Sequence, residues 1–268
     1  MMSLSMVLLV SIVSGLYTSL WGAFKDGPWE GFHAKTFPRS IFFSIGIAIF
    51  LYYGPSPVAT QLRTLPLFHV FLVVMGFERM VTEVYKACFR NGDQAIFFIP
   101  QQMTIFGKNV ENEAIRMGTG IVLFIAIFSI PLIERTISSL PLFIVTGFLT
   151  GMFICSGGAY KDAPFEGFDP RKFFRSAIVL AAVSPLIYLL GPIKLGFLIY
   201  SFGGLERLLV EYYKSYVVHS VPGKFRPDLD RIEGRFTKNR HYLHYTAVAI
   251  VLFLVYLYVQ ARFDAVSR

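Results

Sequence analysis

The chain has 268 residues, 54% of them hydrophobic and only 16% charged, and its mean hydropathy is +0.57. A soluble domain of that size could not cover its own surface with so few charges, so the composition excludes one and puts the chain in the membrane class. The net charge of +8 does not argue for nucleic acid either. Its cations sit in loops too short to fold as a basic module, where they suit topology selection and contact with anionic lipid headgroups.

In chain order, eight apolar segments come near the length that crosses a bilayer: 5–24, 39–54, 65–86, 117–134, 139–159, 174–191, 193–214 and 243–261. The sequence therefore predicts an all-α, polytopic transmembrane helix bundle of about eight spans. The first run lacks a charged n-region and a small-residue cleavage site, and reads as a retained helix. The third and seventh have the shortest apolar stretches before charge sets in. Cys88 and Cys155 lie in or beside apolar stretches and read as small packing residues. The loop 217–240, rich in Lys and Arg, reads as an interfacial helix on anionic lipid. His33, His69, His219, His241 and His244 are scattered without metal-ligand spacing.

Loop charges orient the chain. Of the 25 Lys and Arg, eighteen fall in the loops joining spans one to two, three to four, five to six and seven to eight. Five (Arg63, Arg135, Lys194, Arg262 and Arg268) lie on the opposite side, and two (Arg79 and Arg207) lie within helices. The cation-rich side is the cytoplasmic one, which puts both termini on the non-cytoplasmic face of a cell inner (plasma) membrane.

The chain also repeats itself. Residues 21–40 (WGAFKDGPWEGFHAKTFPRS) match 157–176 (GGAYKDAPFEGFDPRKFFRS) at an offset of 136, and 76–86 (GFERMVTEVYK) match 204–214 (GLERLLVEYYK) at an offset of 128. Eight residues are thus lost between the two motifs, in the external loop, where a length change disturbs packing least. Two four-span units, 1–135 and 136–268, are predicted, joined at Glu134, Arg135 and Thr136. An even number of spans per unit gives both the same orientation, hence a pseudo-twofold axis along the membrane normal.

Two groups of residues could carry chemistry. Glu78 and Arg79 of the third span lie on the order of 10 Å inside the cytoplasmic face at about 1.5 Å rise per residue, a depth at which ionised groups need partners. Arg79, Glu83 and Lys86 share a helix face, as do Arg207, Glu211 and Lys214, so each arginine is expected to pair along its own helix. Glu78 and Glu206 point elsewhere and are candidates for a polar site or pathway. The second group is the K-D-x-P-x-E-G-F segment after spans one and five. There Pro28 and Pro164 are expected to stop the helix, with Gly31 and Gly167 reversing the chain in an interfacial turn. This turn presents Lys25, Asp26, Glu30 and Arg39, or Lys161, Asp162, Glu166 and Arg175, near the helix mouths. No cofactor is called for, although Asp26, Glu30, Asp162 and Glu166 could hold a divalent cation, and the neighbouring cations could instead hold a phosphate headgroup.

Three functions fit this pattern: a transporter or channel with its path between the units, a membrane enzyme acting on a lipid or lipid-linked phosphate at the cytoplasmic face, and a structural or assembly subunit. Both copies keep all their ionisable positions, whereas an enzyme needs only one active site. That puts transport first, in contact with membrane lipids and with self-association or a membrane complex left open.

Overall fold

A chain this apolar satisfies its backbone polar groups within helices. The computed structural model, which describes residues 2–30, 32, 34–91, 94, 97–218 and 239–267, has nine helices among them. They are α1 (Leu4–Glu30), α2 (Arg39–Tyr53), α3 (Ser56–Thr64), α4 (Leu67–Val84), α5 (Glu113–Ser129), α6 (Leu140–Glu166), α7 (Pro170–Tyr188), α8 (Leu195–Glu206) and α9 (Arg240–Val266). A π-helical turn, Tyr85–Phe89, prolongs α4, and two more, Arg207–Glu211 and Tyr213–Val217, prolong α8. Four two-residue strands complete the fold: β1 (Thr104–Ile105), β2 (Lys108–Asn109), β3 (Thr136–Ile137) and β4 (Ile193–Lys194).

Four helical stretches, Leu4–Pro28, Glu113–Leu132, Leu140–Glu166 and Arg240–Val266, are long and apolar enough to cross a membrane, and α2 with α3 makes a fifth if their 110° bend belongs to one broken span. The other three fall short of the expected eight for local reasons. Helix α4 carries Glu78, Arg79 and Glu83, α7 carries Arg171, Lys172 and Arg175, and α8 is regular for only 12 residues before its π turns.

Two of these three, α4 and α8, are central. Helices α4 and α8 pack along one another, with the hairpins α1–α2 and α6–α7 on either side of them. Every residue of α4 from Phe68 to Glu78 is buried. Large apolar side chains such as Leu9, Phe42, Val122, Leu149, Phe153 and Phe263 point outward instead, a surface suited to lipid rather than water.

Corresponding pieces of the two halves have matching geometry. Helices α1 and α6 each have 27 residues and each end on the glutamate of the repeated motif. The α1–α2 hairpin closes where a Cβ on Gly15 would lie 2.6 Å from Ile41 Cα, and α6–α7 where one on Gly151 would lie 2.4 Å from Ala177 Cα, each residue 136 positions from its counterpart. The length difference is taken up by α3, which precedes α4 and has no helical counterpart before α8 among the described residues.

The expectation that Pro28 and Pro164 stop their helices is corrected: both lie inside, and the helices continue to Glu30 and Glu166. Proline deletes one N–H, the donor to the carbonyl four residues earlier. For Pro28 that acceptor is the Phe24 carbonyl, and Arg240 Nη2 donates to it at 2.6 Å while its guanidinium lies 4.2 Å from the Phe24 ring centre. The first turn of α9 thus replaces the bond that Pro28 removes from α1. Reversal after α6 falls to Gly167 at φ 82°, whereas Gly31 lies outside the described residues.

The far end of α9 donates from Tyr258 Oη to the Leu186 carbonyl at 3.0 Å, beyond α7's proline. Strand β3 pairs antiparallel with β4, and Lys194 meets Glu134 at 3.3 Å, fastening residues 134–137 to the loop before α8. Both cysteines are free and buried. The interfacial helix expected at 217–240 falls on residues 219–238, outside those described.

Candidate functional site

The site begins where α4 and α8 cross. A Cβ on Gly76 would lie 2.2 Å from the Tyr200 carbonyl oxygen, and one on Gly204 would lie 2.1 Å from that of Leu72. Only glycine lets the two backbones approach this closely. Both glycines open the G-F-E-R and G-L-E-R runs, so the acids and arginines that follow are carried to the crossing point together.

There they exchange partners. Arg207 Nη1 donates to Glu78 Oε2 at 2.5 Å, and Arg79 donates to Glu206 Oε2. This differs from the expectation that each arginine pairs along its own helix with Glu83 or Glu211. Those acids take the lysine one turn on instead, Lys86 to Glu83 at 2.7 Å and Lys214 to Glu211 at 3.0 Å. The reason is burial. Glu78 and Glu206 are 0% and 2% exposed, so each needs a cation there, and the facing helix supplies an arginine. Thr82 Oγ1 adds a bond to Glu78 Oε1 at 3.3 Å, and Ser176 Oγ one to Glu206 Oε1 at 2.6 Å.

The motif residues after α1 and α6 divide. Lys25 reaches across to Glu211 at 3.5 Å, and Lys161 acts electrostatically on Glu83, the counterpart acid. Glu166 meets Lys172 at 3.6 Å on the surface. Asp162 and Arg175 are half-buried outside the cavity described next. The Glu30 side chain lies outside the described residues. Among those described, no group of three His, Cys, Asp or Glu side chains is arranged to hold a metal ion.

Asp26 and Arg39, by contrast, line a cavity of about 150 Å³ between α1, the start of α2 and α4, with Glu78 and Arg207 also in its wall. That is several times the room one water needs. Arg207 is fixed there by Glu78 and by the Trp21 ring, 5.1 Å away, whose Nε1 donates to Ser215 Oγ at 2.9 Å. Glu206 and Arg79 do not line it, so the space lies beside the Glu78–Arg207 arm alone, and all its described lining residues but Arg207 come from the first half of the chain.

Several lining residues escaped the sequence reading: Thr18, Ser19, Thr82 and Arg90. Their signal lay in the repeat, but in its mismatches. At the matching offsets the second copy has Ile154, Cys155, Val210 and Val218. No protein-family model matches the chain, and no curated protein or solved structure matches it.

Proposed function

We propose that the chain is a multi-pass transport or channel protein of a cell inner (plasma) membrane, moving an ion or small solute that enters from the cytoplasmic side. Its eight spans are α1, α2 with α3, α4, α5, α6, α7, α8 and α9, grouped as two parallel four-span repeats, 1–135 and 136–268. Two features support the grouping: the helices that correspond at offsets of 136 residues (α1 with α6) and 128 residues (α4 with α8), and the reciprocal ion pairs, which an axis along the membrane normal would generate. The charges that keep α4, α7 and α8 from reading as simple spans are tolerable at the bundle's centre or its cytoplasmic rim, where protein or water meets them rather than lipid.

The observation that carries the transport reading is the polar cavity, which runs into an otherwise apolar bundle and ends on the Glu78–Arg207 pair. In this conformation the pairs close the way onward, and passage requires α4 and α8 to move against one another. One observation favours the alternative of a structural or assembly subunit, namely that the buried acids Glu78, Glu206 and Glu211 are all paired.

Gly22 separates the two readings. It lines the cavity, and a Cβ there meets nothing within 4 Å, as is also true of its counterpart Gly158. Gly22→Phe should fill the cavity without displacing backbone, whereas Gly158→Phe should leave it open. In proteoliposomes assayed against a panel of small ions and solutes, the wild type and Gly158→Phe should conduct and Gly22→Phe should not. No flux of any kind, or equal flux in all three proteins, removes the transport reading and leaves the structural one.

A further inference from the structure

We infer that the cavity in the first half of the chain is a binding site for one oxyanionic group of the phosphate type, held by Arg39 and Arg90 together with the hydroxyls of Thr18 and Ser19. As a substrate class this rests on the transport reading; as a binding site it stands without it.

The first ground is charge. Among the described residues, the wall carries Arg39, Lys86, Arg90 and Arg207 against Asp26 and Glu78. Glu78 is neutralised by Arg207, and Lys86 is bonded to Glu83. Arg39 and Arg90 have no acid partner among the described residues. A cation entering here would face both guanidinium groups, while an anion finds them uncommitted.

The second ground is unsatisfied donors. Thr18 Oγ1 and Ser19 Oγ belong to residues only 4% and 7% exposed and have no hydrogen-bond partner, and the buried Arg39 Nε has none either. Helical Ser and Thr ordinarily return their hydroxyl to the carbonyl one turn back, as Ser11 does to Val7 at 2.7 Å. Leaving such groups unpaired costs roughly 1–3 kcal/mol each. Arg39 Nε can only donate and both hydroxyls can donate, and a tetrahedral oxyanion offers acceptor oxygens in several directions at once. The start of α2 adds a helix N-terminus with no side-chain cap, and its Arg39 and Ser40 lie in the same wall.

The third ground is the internal control. The second half keeps the frame, with Asp162, Arg175, Ser176, Glu206 and Lys214 at the matching positions, yet has Ile154, Cys155, Val210 and Val218 where the first has Thr18, Ser19, Thr82 and Arg90. The unit therefore folds without these polar groups. Their presence in one copy alone fits a ligand rather than the fold.

The group could come from free phosphate or from a phospholipid headgroup, and two assays separate the sources. Inorganic phosphate is titrated calorimetrically into the full-length protein in a neutral detergent. In parallel, native mass spectrometry records phosphatidylglycerol retained from vesicles of phosphatidylglycerol and phosphatidylcholine. The variants are Arg90→Val and Thr18→Val. The first introduces the side chain that the second half has at Val218, and the second one close to its Ile154, so both suit the fold, and each is checked for unchanged thermal stability. Saturable phosphate binding, weakened about tenfold or more in Arg90→Val and less in Thr18→Val, supports a free anion. Retention of phosphatidylglycerol that is lost in Arg90→Val, with no phosphate binding, supports the headgroup. Absence of both, or binding equal in the wild type and Arg90→Val, overturns the inference. Binding without flux would sink only the transport reading, and flux unaffected by Arg90→Val with no anion bound would sink only this one.

Discussion

Breaking one arm of the reciprocal exchange should cost far more than removing both of its members. In Glu78→Gln the Arg207 guanidinium, whose side chain is 7% exposed, keeps its charge and loses its counter-ion in a buried setting. Removing one partner of such a pair costs about 3–5 kcal/mol. Replacing both by apolar residues, as in Glu78→Met/Arg207→Met, leaves no stranded charge and should cost less than either single change. The Arg79–Glu206 arm is wetter on its cationic side, with the Arg79 side chain 22% exposed, so Glu206→Gln, which strands that half-wet charge, should cost less than Glu78→Gln. The two buried free thiols, Cys88 and Cys155, allow a direct assay: a thiol-reactive fluorophore follows unfolding on heating in detergent. At about 2–4 °C per kcal/mol for a chain of this size, Glu78→Gln should lower the midpoint by about 6–20 °C, with most of that regained in the double variant. Strict additivity, with the double variant costing the sum of the two singles, would show that the pair is not coupled and refute the reasoning.

Other outcomes follow from the same geometry. Gly76→Ala and Gly204→Ala place a methyl group about 2 Å from a facing carbonyl oxygen and should each lower the midpoint sharply, while Gly22→Ala, with open space around it, should be neutral or raise stability by up to about 1 kcal/mol through helix propensity. Arg240→Ala orphans the Phe24 carbonyl and should cost about 1–3 kcal/mol; in a Pro28→Ala background, where α1 recovers its own donor, the same change should cost measurably less. Cysteines placed at the exposed positions Phe32 and Phe168 should react with an impermeant maleimide only from the cytoplasmic side of oriented vesicles, and labelling from opposite sides would refute the parallel arrangement.

What the sequence disclosed and what it withheld divide along physical lines. Membrane character could be read from the scarcity of charge, and the ionisable residues of the centre from their repetition, since both are properties of residue type and order. The partner of Arg79 could not be read in the same way. Spacing offered Glu83 on the same helix face, but choosing Glu206 depends on how closely α4 and α8 approach, which Gly76 and Gly204 decide only when they meet. Nor could the continuation of α1 through Pro28 be foreseen, because the donor that makes it tolerable, Arg240, lies more than two hundred positions away. The cavity was hidden for a different reason. Repetition drew attention to residues the copies share, whereas Thr18, Ser19 and Arg90 are residues they do not.

The exchange between α4 and α8 has a further consequence. Each half offers an acid and an arginine that find no mate within their own helix, and the acid of one half fits the arginine of the other. Since both halves carry the same offering, a first half would match a second copy of itself equally well, as the identical subunits of an isologous dimer do. The contact is thus self-complementary in a chain that no longer requires it to be. It is the geometry an isologous homodimer would have, here with both faces in one chain that runs on through Glu134–Thr136, and with Asp26 and Arg39 beside the Glu78–Arg207 arm in the cavity wall.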